Sequence, residues 1–181
     1  MINFNLNERR TIRNQSIFSM DELRKHVGSD NVTVIEDINF EGVMFGEGLD
    51  LNFSGCLLSN VTIKGCFVTA TQSIFDQCIL GNNSLKFLDR SLFTGCSFQP
   101  ASRFYEIDEC QFYSTIVNQI EVHKHFSLQD SLFSNCIASW EIVNNESEQD
   151  IRISIFNTTV LNQFDKIKLC NTFDEFILAF K

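Results

Sequence analysis

A five-residue rhythm of large apolar residues runs through the middle of this 181-residue chain, and it narrows the possible folds more than any other feature. Thr33-Val34-Ile35-Glu36-Asp37, Ile38-Asn39-Phe40-Glu41-Gly42 and Val43-Met44-Phe45-Gly46-Glu47 are three consecutive pentads with a large apolar centre. After a phase slip the rhythm resumes at Phe53, Leu58, Ile63 and Val68. It returns at Phe75-Leu80-Leu85, Phe93-Phe98, Ile107-Phe112-Val117-Val122, Leu128-Phe133-Ala138-Val143 and Ile151-Phe156-Leu161. Neither helical spacing nor two-residue alternation persists through these segments.

A longer period sits on top of the first. Leu51-Asn52-Phe53-Ser54-Gly55-Cys56, Ser91-Leu92-Phe93-Thr94-Gly95-Cys96 and Ser131-Leu132-Phe133-Ser134-Asn135-Cys136 recur at equal intervals, and Ser73-Ile74-Phe75-Asp76-Gln77-Cys78 lies between the first two. Self-similarity of this length marks a solenoid with coils of roughly 20 residues. Four five-residue sides make a square coil with one large side chain per side on the axis, and the small residue two places earlier also points inward near the corner. Equivalent residues of successive coils stack at about 4.8 Å. Phe53, Phe75, Phe93 and Phe133 are expected in one column, with Cys56, Cys78, Cys96 and Cys136 beside it. Residues 33–161 then form about six coils, a rod about 30 Å long.

The Phe-x-x-Cys-x-Phe/Leu blocks over roughly 33–161 resemble the pentapeptide-repeat proteins, whose fold is a right-handed quadrilateral β-helix. The family's Asp/Asn before the central residue is kept at Asn39 but is Leu57, Ile79, Ser97 and Leu132 elsewhere, and segments 86–91, 99–106 and 144–150 break phase. These departures leave a three-sided β-helix open. The expected fold is all-β: a right-handed parallel β-helix of about six coils with a short capping helix at each end. Residues 1–32 form an N-terminal segment with a cap, 33–161 the solenoid, and 162–181 a C-terminal cap.

An open solenoid end exposes apolar rings and unpaired backbone, so caps are required. Ser19-Met20-Asp21-Glu22 and Thr172-Phe173-Asp174-Glu175 both read as capping boxes, with Phe18 and Leu23 placed as a staple at the first and Gly28 as its stop. After the second box Phe173, Phe176, Ile177 and Phe180 fall on one helical stripe. They are expected to plug the last coil. The resemblance adds a second role, a homodimer contact, because several pentapeptide-repeat proteins pair through their C-terminal ends.

Seven cysteines are an odd number, and six of them occupy one slot of the repeat, which is packing rather than bridging. They are expected to be reduced, which suits a cytosolic compartment, with Cys170, outside the repeat, the one most open to reagents. Met1 to Arg13 is polar with three arginines and does not read as a leader, and no apolar run approaches the roughly 18 residues of a spanning helix. A cytoplasmic chain without a membrane partner is the expectation.

Charge is segregated. Residues 31–160 hold sixteen acidic and six basic groups, net −10, against +1 for residues 1–30 and zero for 161–181. Direct nucleic-acid binding is therefore not expected, and a protein partner with a basic groove is. The acids cluster at Glu36, Asp37, Glu41, Glu47 and Asp50, and again at Glu106, Asp108 and Glu109, which are the candidate partner-binding residues.

Enzymatic chemistry finds little support. His123 and His125 could share a strand face, but no further ligands stand nearby, so no metal is expected. Cys110 follows Asp108 and Glu109, and carboxylates raise a thiol pKa, the wrong direction for a nucleophile. The members of Asp89/Glu109, Glu121/Glu141 and Asp130/Asp150 are each four pentads apart and could stack as acid and base, but no cleft-building loops accompany them. No phosphate loop or nucleotide fingerprint is present, so no cofactor is expected.

The resemblance implies a concrete function. Some pentapeptide-repeat proteins imitate a B-form DNA rod and occupy the DNA-binding saddle of gyrase, and phage- and plasmid-encoded proteins use similar mimicry as inhibitors. A DNA rod about 30 Å long carries nearly 18 charges at about one per 1.7 Å; this body carries a little over half. Two other classes stay open: an interaction or effector scaffold binding through the loops at 99–106 and 144–150, and a small carbohydrate-active β-helix enzyme.

Overall fold

A computed structural model describes residues 9–28, 34–142, 153–162 and 166–180, without the side chains of 118–120, 123, 124 and 140–142. The chain winds into a parallel β-solenoid of about six turns, pentapeptide-repeat-like in its coil. The ladder starts ahead of residue 33. Thr11–Arg13 pairs with Asn39–Glu41, and Ser16–Ile17 pairs with Met44–Phe45, so the N-terminal segment already supplies two sides of a first coil.

Each complete coil turns three corners, and left-handed backbone marks them. The sets are Asp37, Gly42, Gly48; Gly55, Asn60, Gly65; Gln72, Gln77, Asn82; and Arg90, Gly95, Ala101. Two sides are short, with one inward centre each, such as Phe40 and Phe45 or Leu58 and Ile63. The third side is a longer strand with two inward centres: Leu51 and Phe53, Val68 and Ala70, Leu85 and Leu88, Phe104 and Ile107. The third and fourth sides of the square thus run together as one strand, which shortens the coil. The first-side column runs Phe40, Leu58, Phe75, Phe93, Phe112 and Phe133, and all of its steps except the last fall short of four full pentads.

That shorter step moves Phe53 out of the expected column. It lies on the third side between Ile35 and Ala70, and Leu58 and Phe112 take places in the first-side column. Phe75, Phe93, Phe112 and Phe133 form a stack with centroids 4.7, 4.8 and 4.5 Å apart and interplanar angles of 15° or less. The small slots divide likewise. Cys78, Cys96 and Cys136 precede second-side centres, whereas Cys56 and Cys110 precede first-side ones. In the last coil the inward residues are Ile155 and Val160, one place before the expected Phe156 and Leu161, which face outward.

The small slot does more than avoid a clash. Ser73 Oγ accepts from the Cys56 N–H at 3.1 Å and donates to the Thr71 carbonyl at 3.0 Å, tying one coil to the next. Ser91 and Ser131 repeat the arrangement. Asn83 accepts from the Cys66 N–H at 2.9 Å and donates to the Ile63 carbonyl at 2.9 Å. Thiols do the donating half: Cys56 to Ile35, Cys66 to Gly46, Cys78 to Leu58 and Cys96 to Phe75, at 3.0–3.3 Å. Short polar or thiol side chains therefore satisfy backbone groups that the corner takes out of the ladder.

The caps form as the capping boxes require. In α1 (Met20–Val27) Ser19 accepts from the Glu22 N–H, and Gly28 closes the helix at φ 78°. Leu23 is fully buried, with Met20 and Val27 packed beside it. In α2 (Phe173–Ala179) Thr172 accepts from the Glu175 N–H. Between solenoid and α2, the strand Ile167–Cys170 pairs antiparallel with Thr158–Leu161. Among the described residues, no helix is long and apolar enough to cross a membrane.

All seven cysteines are free and buried, Cys170 included. The antiparallel strand turns Cys170 inward, against the expectation that a position outside the repeat is open. Burial pushes the Cys56, Cys66 and Cys136 thiols from 9.0 up to about 11, and Cys110 to about 12. A hydrogen bond with Cys96, then burial, pushes Cys78 up. Because the folded pKa values are raised, these thiols support the fold fully below pH 9, and the support is lost as pH rises through about 11 to 12. Alkaline titration should therefore show thiolate absorbance and loss of β circular dichroism rising together above pH 9. Thiolate formation near pH 9 with the fold intact would contradict this burial. Phe93→Ala should cost about 3–5 kcal/mol in chemical denaturation, since it empties the middle of the ring stack. Phe67→Ala, on an exposed ring with the Lys86 ammonium 4.6 Å from its centroid, should cost about 1 kcal/mol or less.

Candidate protein-binding surface

Stacking carries every surface feature from one coil to the next, so the surface is best described by columns. One corner column runs Asp37, Gly55, Gln72, Arg90, Glu109, Asp130 and Asn157, each turned outward with left-handed φ. The N–H of each of the first six donates to the strand end of the following coil, from Asp37 to Ser54 through to Asp130 to Phe156. Beside it, at the end of the third side, lies the column Glu36, Ser54, Thr71, Asp89, Asp108, Gln129 and Phe156. Together they form an edge along the rod.

The early acids on this edge and around it are partly neutralised by the chain itself. Arg9 pairs with Asp37 at 2.9 Å and also donates to the Gly55 carbonyl. A β-carbon on Gly55 would lie 2.8 Å from Asp37 Oδ1, so glycine leaves room for this clasp. Arg13 pairs with Glu41 at 2.7 Å, and Lys86 approaches Asp50 at 3.8 Å. Glu36 and Glu47 are exposed and have no such cation in salt-bridge contact among the described residues.

The later group is different. Glu106 and Glu109 are exposed, Asp108 is half-buried, and Asp130 is exposed one coil below Glu109. Among the described residues, no lysine or arginine makes a salt bridge with these four carboxylates. Asn157 donates to Asp130 Oδ1 at 2.5 Å, which orients it without neutralising it. The nearest coil above holds the pair Asp89–Arg90, where Arg90 Nη2 meets Asp89 Oδ2 at 2.8 Å and its Nε donates to both carboxylate oxygens. Asp89, with Glu109 and Asp108 farther off, raises the Arg90 pKa. Asp130 and the Asp89–Arg90 pair are not among the candidate partner-binding residues; by sequence Asp89 and Asp130 stand only as members of carboxylate pairs. The signal for them is the recurrence of the corner from Asp37 to Asp130, which places them on the same edge as Glu109.

Of the carboxylate pairs expected from a four-pentad step, Glu121/Glu141 is level in the ladder and Asp89/Glu109 is not. Asp89 is level with Asp108 rather than Glu109, because that coil falls short of four full pentads. Glu121 is level with Glu141, whose side chain lies outside the described residues, and it accepts from Arg103 at 2.6 Å. Asp150 and the loop 144–150 also lie outside them. Asp89 and Glu121 are thus tied in ion pairs rather than held as acid and base. The break at 99–106 is a turn only as far as Ala101; Arg103–Asp108 is a third-side strand. His125 is exposed, the His123 side chain is not described, and no group of three or more potential metal ligands occurs among the described residues.

At the C-terminal end the expected contact residues turn inward. Phe176 is fully buried and Phe180 half-buried, with rings 5.2 and 5.8 Å from Phe133, while Phe173 and Ile177 pack on the same core. The exposed apolar residues there are Ile167, Leu169 and Leu178.

No protein-family model matches the sequence, and no curated protein matches it. Solved structures that are similar at the level of the coil include the following three. One is ORF18 of Geobacillus virus E2 (11% identity, 84% of this chain and 46% of that one, TM-score 0.25), so this chain spans about half its length. Another is a glycosyl hydrolase, described as putative, from Parabacteroides merdae (11% identity, 79% and 91%, TM-score 0.25). The third is QnrB1, a plasmid-mediated fluoroquinolone resistance protein (12% identity, 84% and 92%, TM-score 0.24). At these TM-scores none of them bears on what the chain does.

The Asp89–Arg90 pair generates its own test. The Asp89 side chain is 11% exposed, whereas Glu41 beside Arg13 is 54% exposed. Removing Arg90 strands a poorly solvated carboxylate next to Asp108. Arg90→Gln should therefore lower the melting temperature more than Arg13→Gln, and equal losses would count against the edge geometry.

Proposed function

We propose that this chain is a non-enzymatic binding protein that offers the acidic edge of its solenoid to a basic groove of a protein partner. The supporting observation is the group Glu106, Asp108, Glu109 and Asp130: four carboxylates on neighbouring coils, without a paired lysine or arginine among the described residues. Like charges stacked at coil spacing destabilise a sheet, so their retention on one edge suits a binding role. Glu36 extends the acidic edge toward the N-terminal coils, Glu47 lies apart from it at the corner between the second and third sides, and Asp37, Glu41 and Asp50 contribute less because each faces its own cation.

A groove that binds such an edge is one built for a phosphate backbone, and the chain acts as an inhibitor by occupying it in place of nucleic acid. The edge is sparser than DNA, so affinity depends on orientation and on-rate as well as on charge count. One of the two loops of the scaffold reading is shorter than expected, since 103–106 is strand.

The test combines capture with competition. The chain, immobilised, should retain a protein from bacterial lysate that is released by rising salt and by added duplex DNA. It should also inhibit DNA supercoiling by gyrase if that saddle is the target. The variant Glu106→Gln/Asp108→Asn/Glu109→Gln/Asp130→Asn should fold normally, because three of these charges are exposed, the half-buried Asp108 makes no salt bridge among the described residues, and such charges contribute little to stability, yet lose the retention. Retention that ignores salt, DNA and the quadruple substitution would refute the acidic-edge reading.

A further inference from the structure

The second side of the coil stands apart from the acidic edge. Its first outward column runs Met44, Thr62, Ile79, Ser97, Ile116 and Ile137, in register from coil to coil. Met44, Ile79, Ile116 and Ile137 are all exposed, Ile137 by 64%. The neighbouring column holds Gly46, Lys64, Gly81, Gln99 and Ser139, with Phe18 lying over Gly46 and Gln99 over Gly81, and the corner column bordering them is Gly42, Asn60, Gln77, Gly95, Ser114 and Asn135. Across these positions Lys64 is the single charge, in a chain of net charge −9. These apolar residues stand where the family's Asp/Asn would be.

We infer that this second-side face is a self-association surface, on which a second copy of the chain packs with its rod antiparallel. Two observations choose a second copy over another occupant. A strongly acidic molecule repels its own kind on every acidic side, and this face is where that repulsion is weakest. From Met44 to Ile116 the column also alternates large and small residues, in an order that is self-complementary about its centre. A two-fold axis lying across the face between Ile79 and Ser97 sets Ile79 against Ser97 of the second copy, Thr62 against Ile116, and Met44 against Ile137. Each central large side chain then meets a small one, as close packing requires. The face measures about 30 Å by about 16 Å, so the pair buries roughly 1,000 Å² in all, at the lower limit for a specific contact. The dimer is a weak one, and it leaves the acidic edge free. It is independent of the partner proposed for that edge.

Sedimentation of the full chain from micromolar to high-micromolar concentration should show a monomer–dimer equilibrium that tightens as salt screens the net charge. Ile79→Glu/Ile116→Glu, both outward positions, should keep the wild-type circular dichroism and weaken the dimer at least about tenfold. Ile167→Asp/Leu169→Asp, at the C-terminal end, should leave it unchanged. A second measurement reads the register. The native cysteines are buried, so Thr62→Cys and Ile116→Cys each add the accessible thiol. On mild oxidation an equimolar mixture of the two variants should cross-link many-fold faster than either variant alone, because the axis brings 62 of one copy to 116 of the other and keeps like positions about 14 Å apart. A monomer at all concentrations overturns the inference. So does a dimer broken by the Ile167/Leu169 variant but not by the Ile79/Ile116 variant, or a mixture that cross-links no faster than its components.

Discussion

The structure depends on how the chain turns a corner. At each corner one residue takes left-handed backbone and the next points inward; beyond the N-terminal coils that next residue is mostly small, and its hydroxyl, amide or thiol bonds the backbone that the turn has left out of the ladder. Most of the left-handed positions among the described residues are not glycine, and they are chiefly Asn, Asp, Gln, Glu or Ser. Asn and Asp tolerate that backbone best among residues with a β-carbon. In the N-terminal coils the slot holds apolar Ile38, Val43, Leu49 and Val61, which fill it without replacing the lost bonds. Serine, threonine and cysteine recur elsewhere in the slot because they fit and they bond. The aromatic column follows from this, since corners at a constant height hold Phe75, Phe93, Phe112 and Phe133 near stacking distance.

Much of this was legible in the sequence, and its failures have one cause. The large inward residues, the small slots and both capping helices could be read from spacing, because each reflects a local steric or hydrogen-bonding need. What could not be read was which side of the coil a motif belongs to. Phe53-Ser54-Gly55-Cys56 and Phe75-Asp76-Gln77-Cys78 look alike because all corners are built alike, yet the first turns from the third side and the second from the first. A uniform four-pentad coil assigned from such motifs puts Phe53 in the wrong column and Asp89 opposite Glu109. The true step varies from coil to coil and emerges only when backbone pairing is known. The same ambiguity hid the acidic edge: Asp130 joins Glu109 only once the corners are aligned. Phe176 and Phe180 were readable as an apolar stripe, but the fact that Phe133 receives both is a property of the last coil.

The surface divides by function of side. Acids gather at the end of the third side and its corner, whereas the second side is almost free of charge. A solenoid enforces such division, because a residue type placed at one slot is repeated at coil spacing and becomes a stripe. Repetition amplifies repulsion on an acidic edge and contact area on an apolar one. The chain's own cations, Arg9, Arg13 and Arg90, moderate the first effect at Asp37, Glu41 and Asp89, leaving the stretch from Glu106 to Asp130 as the most strongly negative part of the described edge.

The antiparallel strand Ile167–Cys170 reverses the chain after the last coil. A parallel ladder offers each new strand the same template, so nothing within the repeat limits how many coils follow. The reversal, with α2 behind it, ends the template, as α1 does at the other end. Length is therefore set at the two ends and is free to vary between them. Duplication or loss of one coil would lengthen or shorten the rod by one step while every corner kept its neighbours. In evolutionary terms the molecule is a ruler, whose graduations can be added or removed to match the span of whatever it measures.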